Sequence, residues 1–296
     1  MSDLLAWLAQ PLTYAFMVRA LWAGVIVGVV GPVLGAYVVL RRMAFFGDAL
    51  AHIILPGVVL AFLLEWPLAV GALAAGITAA LGIGAISRRT EIREDSAIGV
   101  VFAGAFALGI ALLSLQRSYA VDLAHILFGN LLGISQADLW LMGGLALLVL
   151  AVVFAFYKEF LVLCFDPVLA MTLRLPLGWL QNLLLVLVAV VIVASIQTVG
   201  VALVLAMLVT PASAAYLLTR RLPTMMALGA AFGVFSSVVG LYLSFYWNIA
   251  TGPAIVLTAT AIFVVAMALR LRSRRGEGLP ASDRPASSGV EPQRAA

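Results

Sequence analysis

Leu175 to Thr219 reads LPLGWLQNLLLVLVAVVIVASIQTVGVALVLAMLVTPASAAYLLT, 45 residues without an acidic or basic side chain. A helix needs about 20 apolar residues to cross the hydrocarbon core of a bilayer. This run is long enough for two such helices. Its polar break, Gln197-Thr198-Val199-Gly200, marks where one ends and the next begins. Unpaired backbone groups in lipid are costly, so both halves must be helical.

The pattern continues in both directions. Leu222 to Leu269 is a second long charge-free run, 48 residues, broken at Trp247-Asn248 and at Thr251-Gly252-Pro253. Toward the N-terminus lie Ala20–Leu40, Ala49–Leu64, Trp66–Ser87, Ser96–Gln116 and Leu139–Tyr157. The Ala49 run is short and interrupted by Pro56-Gly57. The fold class is therefore an all-α integral membrane protein, a polytopic bundle of nine transmembrane helices, or eight if the Ala49 run is re-entrant. Composition agrees: 65% of the 296 residues are hydrophobic and 10% charged, against about 45–50% and about 25% in soluble proteins. Mean hydropathy is +1.17.

The basic residues test the count. Nine spans with the N-terminus outside place fifteen of the seventeen Arg and Lys residues on one side, with only Arg19 and Arg117 opposite. Positive residues stay cytoplasmic, so this gives an N-out, C-in topology. The net charge of +4 reflects these loops and does not point to nucleic acid. Met1-Ser2-Asp3 lacks a basic n-region, so no cleaved signal peptide is expected. Residues 1–272 are read as one transmembrane domain. Residues 273–296, SRRGEGLPASDRPASSGVEPQRAA, read as a disordered cytoplasmic tail. Met1 to Thr13 is a short, mildly amphipathic lead-in on the outer side.

Few polar residues lie within the apolar block. Asp48 and His52 in FFGDALAHIILPG are spaced i, i+4, so in a helix they share a face. Carboxylate and imidazole suit a divalent first-row metal. A charge deep in a bilayer costs at least about 2.5 kcal/mol, so the pair should face a cavity or the bundle interior. The bland alternative makes Asp48 a helix cap near Arg41 and Arg42, and His52 a satisfied core residue. The Pro56-Gly57 step either opens backbone groups to a pathway or is a packing kink. Asp122 and His125, in AVDLAHILFGNLLGIS, could form an outer gate or dock a partner, or lie on a solvated face. The loop KEFLVLCFDPVLAMTLRLP, Lys158 to Pro176, is apolar although this topology makes it cytoplasmic. A short helix capped by Asp166, with Pro167 in its first position, would present Phe165, Val168, Leu169 and Met171 to a partner or to the bilayer surface.

Other chemistry has little support. The lone Cys164 forbids an internal disulfide, and two histidines cannot make a three-His site. The only lysine, Lys158, lies in no P-loop, so the chain does not itself bind ATP that way. No G-x-S-x-G, H-E-x-x-H or C-x-x-C run supports a membrane-embedded enzyme. A proton-coupled secondary transporter, with Asp48 and His52 as relay, is the rival reading.

The run VVLRRMAFFGDALAHIILPGVVLAFLL, Val38 to Leu64, closely resembles the signature of the permease subunits of bacterial metal-ion ABC importers, the ABC-3 family for zinc, manganese and chelated iron. DLAHILFGNLLGIS, FDPVLAMTLRLP and VGVALVLAMLVTPASAAYLLTR are similar to family segments in the same order, so the resemblance covers about Arg19 to Leu269. It implies a fold similar to the cobalamin-type importers without their first helix. It implies a homodimer in the bacterial cytoplasmic membrane, with the pathway on the two-fold axis. A cytoplasmic ATP-binding-cassette subunit would seat Phe165, Asp166, Pro167, Leu169 and Ala170 as a coupling helix, and would hydrolyse the ATP. An extracytoplasmic metal-binding protein would deliver the ion. Asp48 and His52 match the motif and become the metal-contacting or gating pair. The chain would be no enzyme, and would hold no resident cofactor beyond the transported dication. Ile53-Ile54 depart from the small polar or alanine residues of many relatives, which puts the local packing in doubt.

Overall fold

A computed structural model describes residues 9–89, 92–114, 133–165, 170 and 172–276. All regular structure among them is helical. The helices are α1 (Ala15–Leu40), α2 (Phe45–Ile53), α3 (Leu55–Leu63), α4 (Leu68–Arg89), α5 (Glu94–Ser114), α6 (Gln136–Ala155), α7 (Tyr157–Phe165), α8 (Leu177–Val199), α9 (Val201–Leu218), α10 (Leu222–Trp247) and α11 (Thr251–Gly276). Taking α2 and α3 together, nine stretches among the described residues are long and apolar enough to span a membrane.

The long charge-free runs divide as their punctuation predicts. Gly200 separates α8 from α9 with φ 87°, a left-handed conformation that a side chain resists. Asn248, at φ 52°, ends α10, a position Asn tolerates better than most residues. Beyond it, the Ser244 hydroxyl donates to the Ile249 carbonyl at 2.7 Å and pairs with Thr251 Oγ1 at 2.9 Å. The exposed turn is thus tied back to α10 from within.

The centre of the bundle is α1, which packs against α9 and α10. Its glycines let backbones touch. A Cβ on Gly35 would lie 1.7 Å from the Leu208 carbonyl oxygen, and one on Gly28 would lie 2.8 Å from the Gly233 carbonyl carbon. Pro32 has no N–H for the Gly28 carbonyl. That same oxygen sits where a Cβ on Gly233 would strike it at 2.1 Å. Ser237 adds an interhelical bond, donating to the Gly24 carbonyl at 2.8 Å. Small residues and side-chain-to-backbone bonds replace the hydrophobic effect, which gives no drive between helices in lipid. The second half of the bundle is α4 packed on α3 and α8, with α5 against α2 and α3.

The two ends of the bundle differ in chemistry. At one end Arg41 reaches Glu94, Arg88 reaches Gly178 and Asn182, and Arg270 reaches Leu217. At the other, Trp66, Trp140 and Trp247 are well exposed at helix ends, as in an interfacial aromatic belt.

Two segments differ from the reading of the sequence. Lys158 to Phe165 is helical, as most of α7, and not loop. Phe160 and Leu163 are buried, and Phe160 meets Tyr37 of α1 edge-on at 5.5 Å. Two apolar residues of the expected loop thus face inward, while Phe165 is exposed. At the C-terminal end, α11 continues to Gly276, beyond the boundary drawn at Arg272.

Candidate metal pathway site

The site lies on α2, between a tight turn and a kink. Arg42, at φ 60°, turns the chain after α1, and the Met43 N–H closes the turn on the Val38 carbonyl at 2.9 Å. At the far end Pro56 occupies the first turn of α3. It lacks the N–H that would have met the His52 carbonyl. Ile54 stays right-handed helical, and its N–H reaches the Leu50 carbonyl at 3.2 Å. The interruption is therefore a proline kink, displaced to Ile54, and not an unwound segment. Just past it, Gly57 lets α3 touch α4: a Cβ there would lie 2.2 Å from the Gly71 carbonyl oxygen.

Asp48 falls in the first turn of α2 and His52 in the last. Each stands at the end of the helix dipole that favours its charge. The capping alternative fails. Ala44 is the N-cap residue, no side chain caps this helix, and Arg41 is engaged by Glu94. The Asp48 carboxylate, half-buried, makes no hydrogen bond or ion pair among the described residues. His52 does not bond that carboxylate. Its Nδ1 lies 3.0 Å from the Asp48 backbone carbonyl. A carbonyl oxygen only accepts, so Nδ1 carries the proton. In the neutral ring Nε2 then keeps its lone pair, the arrangement found in metal-binding imidazoles. Two rings fix the imidazole: Phe102 at 5.8 Å and Phe106 at 5.6 Å, both edge-on. These two phenyl rings stack on each other, tilted by 13°. Gly47 on the opposite flank admits Leu205, Leu208 and Ile192. The helix is thus wedged between α5, α8 and α9 with two donor groups left over. Among the described residues no three His, Cys, Asp or Glu side chains cluster for a metal.

A second polar constellation escaped sequence reasoning. Glu94, the first residue of α5, accepts from both Arg41 and Gln181, joining α1, α5 and α8. The partners are far apart in sequence; only an acidic residue at a helix start hinted at a role. Cys164 of α7 lies close by. Burial pushes its thiol up to about 11, with Arg41 pulling down and Glu94 pushing further up.

Of the expected coupling residues, Phe165 ends α7 exposed, and Ala170 is fully buried, its carbonyl accepting from the Leu175 N–H at 3.1 Å. Asp166, Pro167 and Leu169 lie outside the described residues, as do Val168, Met171, Asp122 and His125.

The ABC 3 transport family model matches residues 13–270. The manganese transport system membrane protein MntC of Halalkalibacterium halodurans is 45% identical, covering 90% of this chain and 91% of that protein. The chelated iron transport system membrane protein YfeD of Yersinia pestis is 41% identical, covering 90% of each. Among solved structures, PsaBC from Streptococcus pneumoniae in complex with Fab superposes with a TM-score of 0.79 at 35% identity, over 93% of this chain and 100% of that one. A metal-chelate type ABC transporter in an inward-facing conformation shares the fold, with a TM-score of 0.68 at 13% identity over 87% of this chain and 86% of that one. With nearly its whole membrane bundle accounted for, and with the Val38–Leu64 motif in place on α1 to α3, the chain belongs to the ABC 3 transport family.

Proposed function

We propose that this chain is the membrane permease of an ATP-driven importer for a divalent transition metal, with Asp48 and His52 lining the path of the ion. One observation carries the reading: a carboxylate left unpaired among the described residues stands on the same helix as an imidazole whose Nδ1 proton is committed to a backbone carbonyl. A charge and a free lone pair are costly within a bundle unless something passes by them.

Two donors are too few to hold a dication on their own. Two copies about a two-fold axis would double them to a pair of carboxylates and a pair of imidazoles. Such a set holds a metal loosely enough for release, as a conducting path requires. The relatives named for manganese and chelated iron favour manganese, then iron, over zinc. The arginine-bearing end would face the cytoplasm, with the N-terminus outside and the C-terminus inside. The segment after Phe165 would dock on a cytoplasmic ATPase, and an extracytoplasmic protein would hand over the ion, with Asp122 and His125 as contacts or gate. ATP hydrolysis in the cytoplasmic ATPase would rock one half of the bundle against the other. The chain itself breaks no bond.

The proton-relay rival finds no support in the geometry, because the two side chains are not hydrogen-bonded to each other. Metal uptake by the permease reconstituted with its ATPase tests the reading. Asp48→Ala and His52→Ala should each abolish uptake while the dimer stays folded; wild-type uptake in both would reject it.

A further inference from the structure

At the arginine-bearing end, the ends of α1, α7, α9 and α10, with Arg270 of α11, line an open cavity of about 330 Å³. Leu40, Phe165, Leu222 and Met225 give it apolar walls, and Arg220 and Arg270 line it with positive charge. No acidic side chain lines it among the described residues. Arg270 is braced: its Nη1 donates to the Leu217 carbonyl at 2.7 Å, so its guanidinium is held in place. Arg220 is exposed and has no ion-pair partner among the described residues. The α10 helix starts here without a side-chain cap, turning the positive end of its dipole into the same space. The neighbours Leu218 and Leu269 are 43% and 52% exposed. Exposed apolar side chains of α9 and α11 thus adjoin the cavity.

We infer that this cavity binds the headgroup of an anionic phospholipid from the leaflet at the arginine-bearing end. The phosphate sits between Arg220, Arg270 and the start of α10, and the upper acyl chain lies along Leu40, Phe165 and Met225. Charge fits a phosphodiester, and the mixed lining fits an amphiphile better than a free ion. The site stands apart from Asp48 and His52, though Phe165 on its rim borders the segment proposed to dock the ATPase. Loss of lipid binding and loss of metal uptake are therefore separate outcomes.

The test is native mass spectrometry of the full chain in detergent. It is titrated with phosphatidylglycerol, with phosphatidylcholine of the same acyl chains, and with inorganic phosphate as competitor. Phosphatidylglycerol should be retained preferentially, and Arg220→Gln should cut that preference about five-fold, the contribution of one Arg near an anionic surface. Arg220 is exposed and makes no side-chain bond among the described residues, so this variant should fold. Arg270→Gln also uncaps α9, so Arg270→Lys accompanies it and should keep part of the preference. Equal retention of the two lipids, or unchanged preference in Arg220→Gln, overturns the inference. Competition by inorganic phosphate shows a free-anion site and overturns the lipid assignment. If Arg220→Gln instead releases the ATPase from the purified complex and leaves lipid retention alone, the surface belongs to a protein partner and the inference fails.

Discussion

Gly57→Ala should damage the protein out of proportion to the single methyl it adds. That methyl would stand 2.2 Å from the Gly71 carbonyl oxygen and 2.5 Å from Ala75 Cβ. Carbon atoms make favourable contact at about 3.5–4.0 Å, so α3 and α4 must part by roughly 1 Å. Overpacking of this kind costs about 1–3 kcal/mol. The thermal midpoint of the purified protein should then fall by roughly 2–10 °C. Ile54 is all that separates α3 from α2, so the displacement passes to His52 and loosens its seat against Phe102 and Phe106. Metal uptake by the reconstituted transporter should fall as well. Gly82→Ala, on α4 with nothing within 4 Å of the added atom, is the control. It should be neutral or stabilising by up to about 1 kcal/mol, the usual gain of Ala over Gly within a helix. A Gly57→Ala protein as stable and as active as the wild type would refute the close-contact argument.

Removing either partner of the Arg41–Glu94 pair should cost about 1–3 kcal/mol, because each charge is largely screened from water and the survivor is left unpaired. The double variant Arg41→Met, Glu94→Leu should recover part of that loss, measured as the coupling in a double-mutant cycle of thermal unfolding. Gly200→Ala should destabilise by about 1–2 kcal/mol, since φ 87° is strained for any residue with a Cβ; an unchanged unfolding midpoint would contradict it. Cys164 should resist iodoacetamide at pH 7.5, with alkylation rising steeply only toward pH 11. Because the folded thiol holds its proton above the unfolded value of about 8.5, the native state is favoured below that pH. The advantage is lost as pH rises from there to about 11. In the Cys164→Ala protein this alkaline step in stability should vanish.

The spans were legible because lipid imposes a simple grammar: apolar length, then a breaker. Gly200 and Asn248 stand where the long runs divide. Pro56 announced its kink, although the break falls at Ile54, because a proline disturbs the turn before it. The pairing of Asp48 with His52 was legible only as a shared face. The sequence could not say that the imidazole bonds to a carbonyl instead of the carboxylate, since that depends on rings from α5, about fifty residues away. For the same reason the Glu94 junction with Arg41 and Gln181 was invisible. Helix α7 lies ahead of the short helix expected after Asp166, because the charge pattern makes the stretch from Lys158 a cytoplasmic loop and does not show that Phe160 packs against Tyr37.

The contacts of α1 with α9 and α10 leave no cushion of side chains between main chains at Gly28, Gly35 and Gly233. Layers in such direct apposition cannot slip past one another without colliding. This part of the molecule is therefore a keel, and α3 and α4, which meet in the same way at Gly57 and Gly71, form a second.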